Sequence, residues 1–591
     1  MARPFLSIAS LKLVQKTASR STVHMGTSTI QERRRSSASS PTINEALLDK
    51  KVFGYIGLRG VATWAALAGC GGLGLDGRWL AKPPGPLPLP IIGNTHLLPK
   101  AKPWIYFEEL SKSLKSPVIT FWIGRSPTVW INDAWSASEL LDKKAAIYAS
   151  RPRMVVFAEL TDMHQSADPN AKMPGNNLVT MFYGERWRVH RKITHLGVGL
   201  QQVRNYRGFQ NDESRIIAYE LLRTPNNYVA HFERYAASVV SIIGFNRRIA
   251  STEDPIITEV IAVMQKAAEL NVPGKTFPML FETFPWMSHL PPKLFPWMFQ
   301  GLGRRRRGQE FFYTLAEEAH QKDPEGISYV NKLFEEQPKY NLRKQEISSL
   351  AGNLFGAGSD TSSSTLITFV LACCAFPEVL PKVWEELDRV VGHHRSPSWE
   401  DEPHLIYTKA FVKEVFRWRS VAIIGGQPHA PVADDEWKGY LIPKGTWTQG
   451  NVWAIHHNEN EFPDPDRFNP DRFLKDSPDA RPFPNEKGYM TFGWGRRVCS
   501  GQGLAEQGTF ITVARLLWGF NIQKALDDEG NEIPVDIFAY TDGLNMRPQP
   551  FQCRFTPRSP EIRAAIEREG KQALDNLSVY DRESEKITEC E

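Results

Sequence analysis

Residues 492–501 read Phe492-Gly493-Trp494-Gly495-Arg496-Arg497-Val498-Cys499-Ser500-Gly501, a turn-forming stretch around a single sulfur. The apolar series after Ser500, including Leu504, Ala505, Phe510, Ile511, Val513, Leu516 and Leu517, has helical spacing. Cys499 therefore stands where a helix begins. A thiolate there is stabilised by the positive end of the macrodipole and by free backbone N–H groups. Glycines at 493, 495 and 501 let the backbone fold tightly and approach something flat. Arg496 and Arg497 can pair with carboxylates on that flat object. These are the requirements of a haem with a cysteine thiolate as its axial ligand. The alternative is a buried structural cysteine in a turn before a core helix.

The stretch resembles the haem-binding loop of the cytochrome P-450 family, whose pattern is F-x-x-G-x-R-x-C-x-G. Phe492, Gly495, Arg497, Cys499 and Gly501 each fall on a defined position, which sets the structural-cysteine alternative aside. Ser500 stands where the family often has proline. The resemblance implies haem b as cofactor, Cys499 as the axial iron ligand, and Phe492, Arg497 and Gly501 as part of the cofactor site.

The rest of the composition agrees with a large enzyme domain. Of 591 residues, 41% are hydrophobic and 23% charged, the balance of a globular protein. A formal charge of +5 gives no case for nucleic acid as a partner. The six cysteines have no C-x-x-C spacing, which argues against structural zinc and against a secreted disulfide framework.

Along the chain, residues 1–51 read as a basic, Ser/Arg-rich extension expected to be disordered, with a mitochondrial transit peptide as the alternative. Residues 52–82 hold an apolar, glycine-rich segment, a membrane-anchor candidate. A span needs about 20 predominantly apolar residues, and Arg59 lies near one end, where it can snorkel. The proline-rich run Lys82 to Asn94 excludes helix and resembles the hinge between membrane anchor and catalytic domain in microsomal family members. Strands are expected at 118–122 and 128–131. A helix is expected over 136–144, with Ser136 as its N-cap. Residues 152–177 show no period and read as a functional loop; by the resemblance they contact substrate.

Trp187 and Arg191 are four apart at the start of a basic helix and share one face. They match the family's W-x-x-x-R, which implies contact with a haem propionate. Arg186, Arg188 and Lys192 offer positive charge to an acidic electron donor. Phe-Pro-Trp-Met occurs at 284–287 and again at 295–298, ahead of Arg304 to Arg307; aromatics beside basic residues suit a membrane interface.

Helical apolar spacing over 344–376 is interrupted by Gly352, Gly356 and Gly358, which suggests a close neighbour. Ala357 to Ser362 matches the family's A/G-G-x-D/E-T-T/S. The resemblance implies a helix that bulges over the haem, with Asp360 and Thr361 delivering protons for O–O cleavage. Glu414 and Arg417 are a local helical pair. With Arg472 of Pro470-Asp471-Arg472-Phe473 they resemble the family's structural network behind the haem loop. By the same resemblance His429 reaches the second propionate, while Ile423, Ile424, Gly425 and residues 541–544 line the pocket.

These landmarks imply a mainly α cytochrome P-450 fold with a small β-rich lobe over 83–560, followed by a charged C-terminal tail at 561–591 that begins as a helix. They imply a monooxygenase acting on a small lipophilic substrate, resembling filamentous-fungal members of secondary-metabolite pathways. Electrons come from NADPH–cytochrome P-450 reductase, with cytochrome b5 as a second donor. The expected location is the endoplasmic reticulum membrane, catalytic domain in the cytosol, with the mitochondrion as the alternative. The competing functions are a reductase-independent isomerase or peroxygenase, against which the intact Asp360–Thr361 pair speaks, and a non-catalytic haem sensor or carrier.

Overall fold

The computed structural model describes residues 81–160, 176–254, 256–257, 276–291, 294, 310–543 and 545–581. The basic extension, the anchor candidate, residues 161–175 of the irregular loop, the second Phe-Pro-Trp-Met copy, the arginine run and Leu544 lie outside the described residues. Everything described belongs to one unit, Leu75–Glu591.

Helices are Pro103–Leu114 (α1), Glu185–Val198 (α2), Arg207–Arg223 (α3), Tyr228–Phe245 (α4), Thr276–Thr283 (α5), Tyr329–Tyr340 (α6), Lys344–Ala375 (α7), Leu380–Val390 (α8), Ile406–Trp418 (α9), Gln502–Gly519 (α10) and Pro560–Leu577 (α11). Strands are Val118–Ile123 (β1), Ser126–Ile131 (β2), Asp435–Trp437 (β3), Tyr440–Ile442 (β4), Trp447–Gly450 (β5), Phe520–Lys524 (β6) and Cys553–Pro557 (β7). β1 pairs antiparallel with β2, and β2 parallel with β5; β3–β4 and β6–β7 are antiparallel pairs. The expected architecture, mainly helical with small sheets, is what the chain adopts.

Two helices organise the core because they are apolar on almost every side, the signature of a buried helix. All residues of α7 from Ser363 to Cys374, and of α10 from Gly508 to Gly519, are buried. α4 packs along α7, and a Cβ at Gly358 would come within 2.4 Å of Val240 Cγ1. One at Gly352 would meet Phe312 Cδ2 at 2.8 Å. These are the close neighbours that the interrupting glycines predict.

Three expectations change. The segment expected as a helix over 136–144 starts earlier: Asp133 is the N-cap, its carboxylate accepting the Ser136 N–H at 2.6 Å and the Ser136 hydroxyl at 2.9 Å. A short α-turn, Ala134–Ala137, then widens into a π-helical turn, Ser138–Lys143. The expected bulge in α7 is absent, and the helix is continuous through Thr361. Its hydroxyl-rich stretch is satisfied internally, with Thr361 Oγ1 donating to Ala357 O (2.7 Å), Ser363 Oγ to Asp360 O (3.0 Å) and Thr365 Oγ1 to Thr361 O (2.9 Å). Finally, the charged segment after residue 560 joins the core. α11 lies along α3, burying Ile562, Ala565, Ile566, Ala573 and Leu577, with Ser559 as N-cap.

Candidate active site

The loop from Thr491 to Gly501 is held from three sides. Phe492 packs edge-on against Phe416 of α9, ring centroids 5.3 Å apart. Gly495 turns with φ +52°, and a Cβ there would meet Leu141 O at 2.3 Å; its N–H donates to Asp142 Oδ1 at 2.7 Å. Burial raises the Asp142 carboxyl above its ordinary range, and the Gly495 amide opposes that. Cys499 N donates to Phe492 O (2.9 Å), closing the turn before α10.

The Cys499 side chain is exposed. Burial raises the thiol pKa; the backbone amides of Gly501 and Gln502 and the Arg191 guanidinium pull it back down. Sequence spacing placed the thiol at a helix start, and the amides of that helix do face it. Ala357, in the middle of α7, is also exposed. Thr361 lies one turn further along α7.

Beside the loop lies an unusual concentration of positive charge. Arg497 donates to Ala149 O (2.6 Å), Leu178 O (3.2 Å) and Met181 O (2.8 Å). Arg151 donates to Val179 O, Gln427 O and Pro428 O. Burial lowers the pKa of both, as it does that of Arg191, and mutual repulsion among the three lowers Arg497 further. Among the described residues no carboxylate pairs with any of these guanidiniums. Carbonyl partners alone do not compensate buried cations, so the cluster requires anions. The Trp187 indole N–H is buried without a partner, and Arg497 stacks on its ring at 4.3 Å. A flat group carrying two carboxylates meets each of these demands. No set of three His, Cys, Asp or Glu among the described residues could hold a metal. An iron taking Cys499 as its one protein ligand must then bring its other donors with it, as a porphyrin does.

A sequence model of the cytochrome P-450 family matches residues 83–555. The chain belongs to the cytochrome P-450 family. It is 35% identical over 488 residues to cytochrome P-450 monooxygenase 58 of Postia placenta, covering 81% of this chain and 89% of that one. With cytochrome P-450 monooxygenase yanC of Aspergillus niger it shares 33% over 521 residues, 84% and 94% of the two chains. With virE of Hypocrea virens, also a cytochrome P-450 monooxygenase, it shares 32% over 496 residues, 82% and 87%. This P-450 is accordingly a monooxygenase with haem iron as its cofactor.

The remaining site expectations divide. Arg191 does not point wholly to a carboxylate site: Nη1 donates to Ser500 Oγ (2.5 Å) and Nη2 to Val498 O (2.7 Å), so the thiolate loop uses two of its donors. Arg186 is withdrawn from any electron donor, because Glu346, Tyr340 O and Asn341 O occupy it; Arg188 and Lys192 stay exposed. His429 is buried with Nδ1 on Tyr148 O (2.8 Å). Burial and Arg151 push its pKa down to about 3. Its Nε2 becomes a donor only if a bound carboxylate restores the proton. Asp360 takes the Asn545 amide N–H at 2.6 Å and lines a small, mostly apolar cavity with Glu233, Ala237, Ile257, Phe355 and Arg547 among its neighbours. Thr361 is not among the residues lining that cavity, so the two side chains border different spaces. Ile423 and Ile424 are buried in the main core.

Glu414, Arg417 and Arg472 lie together. Arg417 forks onto Glu414 with two bonds of 2.7 Å, both residues fully buried; Asn469 N donates to Glu414 at 2.9 Å, and Arg472 Nε lies 3.5 Å away. Sequence reasoning missed the link from this network to the loop, His456. Its carbonyl accepts from Arg417 (2.9 Å), its Nε2 accepts the Met490 N–H (2.9 Å), and its Nδ1 meets Ser420 Oγ (3.0 Å). It missed Arg151 too, a single arginine before a proline with no spacing to mark it.

His456 has a measurable pH consequence. Burial, and then the Arg417 charge, hold its pKa well below 6.5. The unfolded chain takes up a proton below about pH 6.5 that the folded one refuses, so stability falls as pH falls from there. The slope for one histidine is about 1.4 kcal/mol per pH unit. Urea titrations between pH 6.5 and 5 should show His456→Gln losing roughly one proton of this dependence; an unchanged slope would count against the assignment.

Proposed function

We propose that this P-450 inserts one oxygen atom from O2 into a C–H bond of a small lipophilic substrate in secondary metabolism, a polyketide, terpenoid or alkaloid. Relatives from fungi support the last part. The observation that carries the chemistry is the exposed Cys499 sulfur at the start of α10, near a cluster of three guanidiniums, Arg151, Arg191 and Arg497, that no described carboxylate pairs with. Haem bound there supplies dioxygen binding and transfer of an oxygen atom. Cys499 holds the iron. Trp187, Arg151 and Arg497 orient the carboxylates, with His429 able to join once protonated.

Thr361 and Asp360 supply protons. The Thr361 hydroxyl, resting on Ala357 O, can turn its proton toward the exposed side of α7. Asp360, whose carboxylate accepts the Asn545 amide N–H, is the proposed acid partner of that hydroxyl. With Thr361→Ala, NADPH consumption in the presence of reductase should persist while electrons are recovered as hydrogen peroxide. Product per NADPH should drop about tenfold or more. Unchanged product yield would favour the reductase-independent reading.

NADPH–cytochrome P-450 reductase, with cytochrome b5 as a second source, is the proposed donor. The proposed location is the endoplasmic reticulum membrane with the catalytic unit in the cytosol. Among the described residues no single helix is long and apolar enough to cross a membrane. The described surface supports contact with one nonetheless. Leu87, Leu89 and Ile91 of the proline-rich run are exposed, as is Trp286 just after α5. Thr95 and Thr283 hydroxyls, 3.5 Å apart, bring the two segments together.

A further inference from the structure

We infer that Asn545 is a positioning residue, whose side-chain amide holds the Asp360 carboxylate of α7 in place for proton supply to Thr361. Asn545 is carried on a hairpin. Tyr540 and Pro548 form its antiparallel bridge, Thr541 N donates to Arg547 O (2.9 Å), and Arg547 N donates to Thr541 Oγ1 (3.1 Å). The hairpin is anchored to the body at two neighbouring residues. Buried Met546 donates its N–H to Val421 O at 2.8 Å, and Arg547 Nη2 donates to Glu233 Oε1 of α4 at 2.6 Å. Next to these anchors Asn545 Nδ2 donates to Asp360 Oδ2 at 2.6 Å, across 185 residues of sequence. Among the described residues no other group donates to that carboxylate.

The tether matters because the carboxylate has a competing partner. Asp360 and Arg547 line the same small cavity, and Arg547 is already paired with Glu233. A carboxylate released by Asn545 samples its other staggered rotamers and can turn toward that guanidinium, drawn by its charge. A hydrogen bond to an ionised acceptor is among the stronger kinds, so the Asn545 amide selects one rotamer against this pull. The consequence lies in how dioxygen is reduced by electrons from NADPH. With two electrons and two protons it leaves as hydrogen peroxide; with four of each it leaves as two waters. An acid held beside Thr361 favours the second course, and an acid turned toward Arg547 favours the first.

The inference rests on Asp360 being the acid partner of Thr361, so the test reads the two separately. Purified holoprotein with Asn545→Ala, Asn545→Leu, Asp360→Ala and the pair Asp360→Ala with Asn545→Ala is given NADPH and reductase without added substrate. The share of electrons ending in water is read from the NADPH and dioxygen consumed and the peroxide formed. Hydrogen–deuterium exchange over residues 540–548 is followed in the same proteins without NADPH. Asp360→Ala should lower the water share, and each Asn545 variant should lower it about threefold or more. Exchange in the hairpin should quicken about tenfold in Asn545→Ala and in Asp360→Ala. The paired variant should match Asp360→Ala alone in both readouts, because residues acting through one contact are not additive. If Asp360→Ala lowers the water share and either Asn545 variant leaves it at the parental value, the inference alone is overturned, whatever the exchange shows. Unchanged exchange, or a paired variant worse than Asp360→Ala, overturns it as well. A parent that forms no water, or an Asp360→Ala variant with the parental share, overturns the acid reading and this inference with it.

Discussion

Replacing Cys499 with alanine is expected to abolish the strongly red-shifted Soret band of the reduced carbon monoxide complex and to reduce oxygen insertion to background. Among the described residues no second cysteine approaches this position. Cys373, Cys374 and Cys553 are all buried in the main core around α7, α10 and β7. Among the described residues Cys499 is the only exposed cysteine. The folded chain should survive the change better than the spectrum does, since the loop is held by Phe492, Gly495 and Arg497 rather than by the thiol. A variant that keeps its fold but shows a band typical of histidine ligation, or none, fits the reading. A variant that keeps the red-shifted band sinks it.

The second large effect is expected at Glu414. Its carboxylate is fully buried, accepts two bonds from Arg417 and one from Asn469 N, and lies against Arg472. Glu414→Gln leaves two buried guanidiniums facing a neutral amide. Removing one partner of such a pair costs about 3–5 kcal/mol, a large share of the stability of an ordinary domain. The loss should be felt in the haem loop, because Arg417 and His456 connect Glu414 to the N–H of Met490, two residues before Phe492. The variant should therefore accumulate as protein that does not retain haem, measured as the ratio of Soret to protein absorbance, with a lowered melting temperature. Glu414→Gln with parental haem content and a stability loss under about 1 kcal/mol would show the network to be dispensable.

Much of this was legible in the sequence because the chemistry is local. Cys499, its glycines and the following helix lie within one stretch, and Glu414–Arg417 are one helical turn apart. The long helix and its glycines were equally visible, since periodicity reports packing on one element at a time. Positions whose meaning depends on a distant partner were not visible. Arg151 and Arg497 are far apart in sequence and become one charge cluster only after folding. His456 acquires its role from Arg417 on one side and Met490 on the other. Arg186 looked like part of a basic face offered to an electron donor, and only the approach of Glu346 from α7 turned it inward. Local capping was misread for a smaller reason: Asp133 and Ser136 are both good N-cap residues, and the choice fell to the one that bonds the other's N–H.

The uncompensated arginines make the cofactor part of the folded state's electrostatics as well as its chemistry. Without anions, three guanidiniums repel one another inside the protein, so the empty chain is the less stable form. Any ligand that binds only the native state adds stability in proportion to the logarithm of its concentration. For this chain the amount of protein a cell keeps should thus follow its haem supply, because quality control removes chains that open more often. Porphyrin availability would then set enzyme abundance through turnover of the apoprotein, without any change in its synthesis.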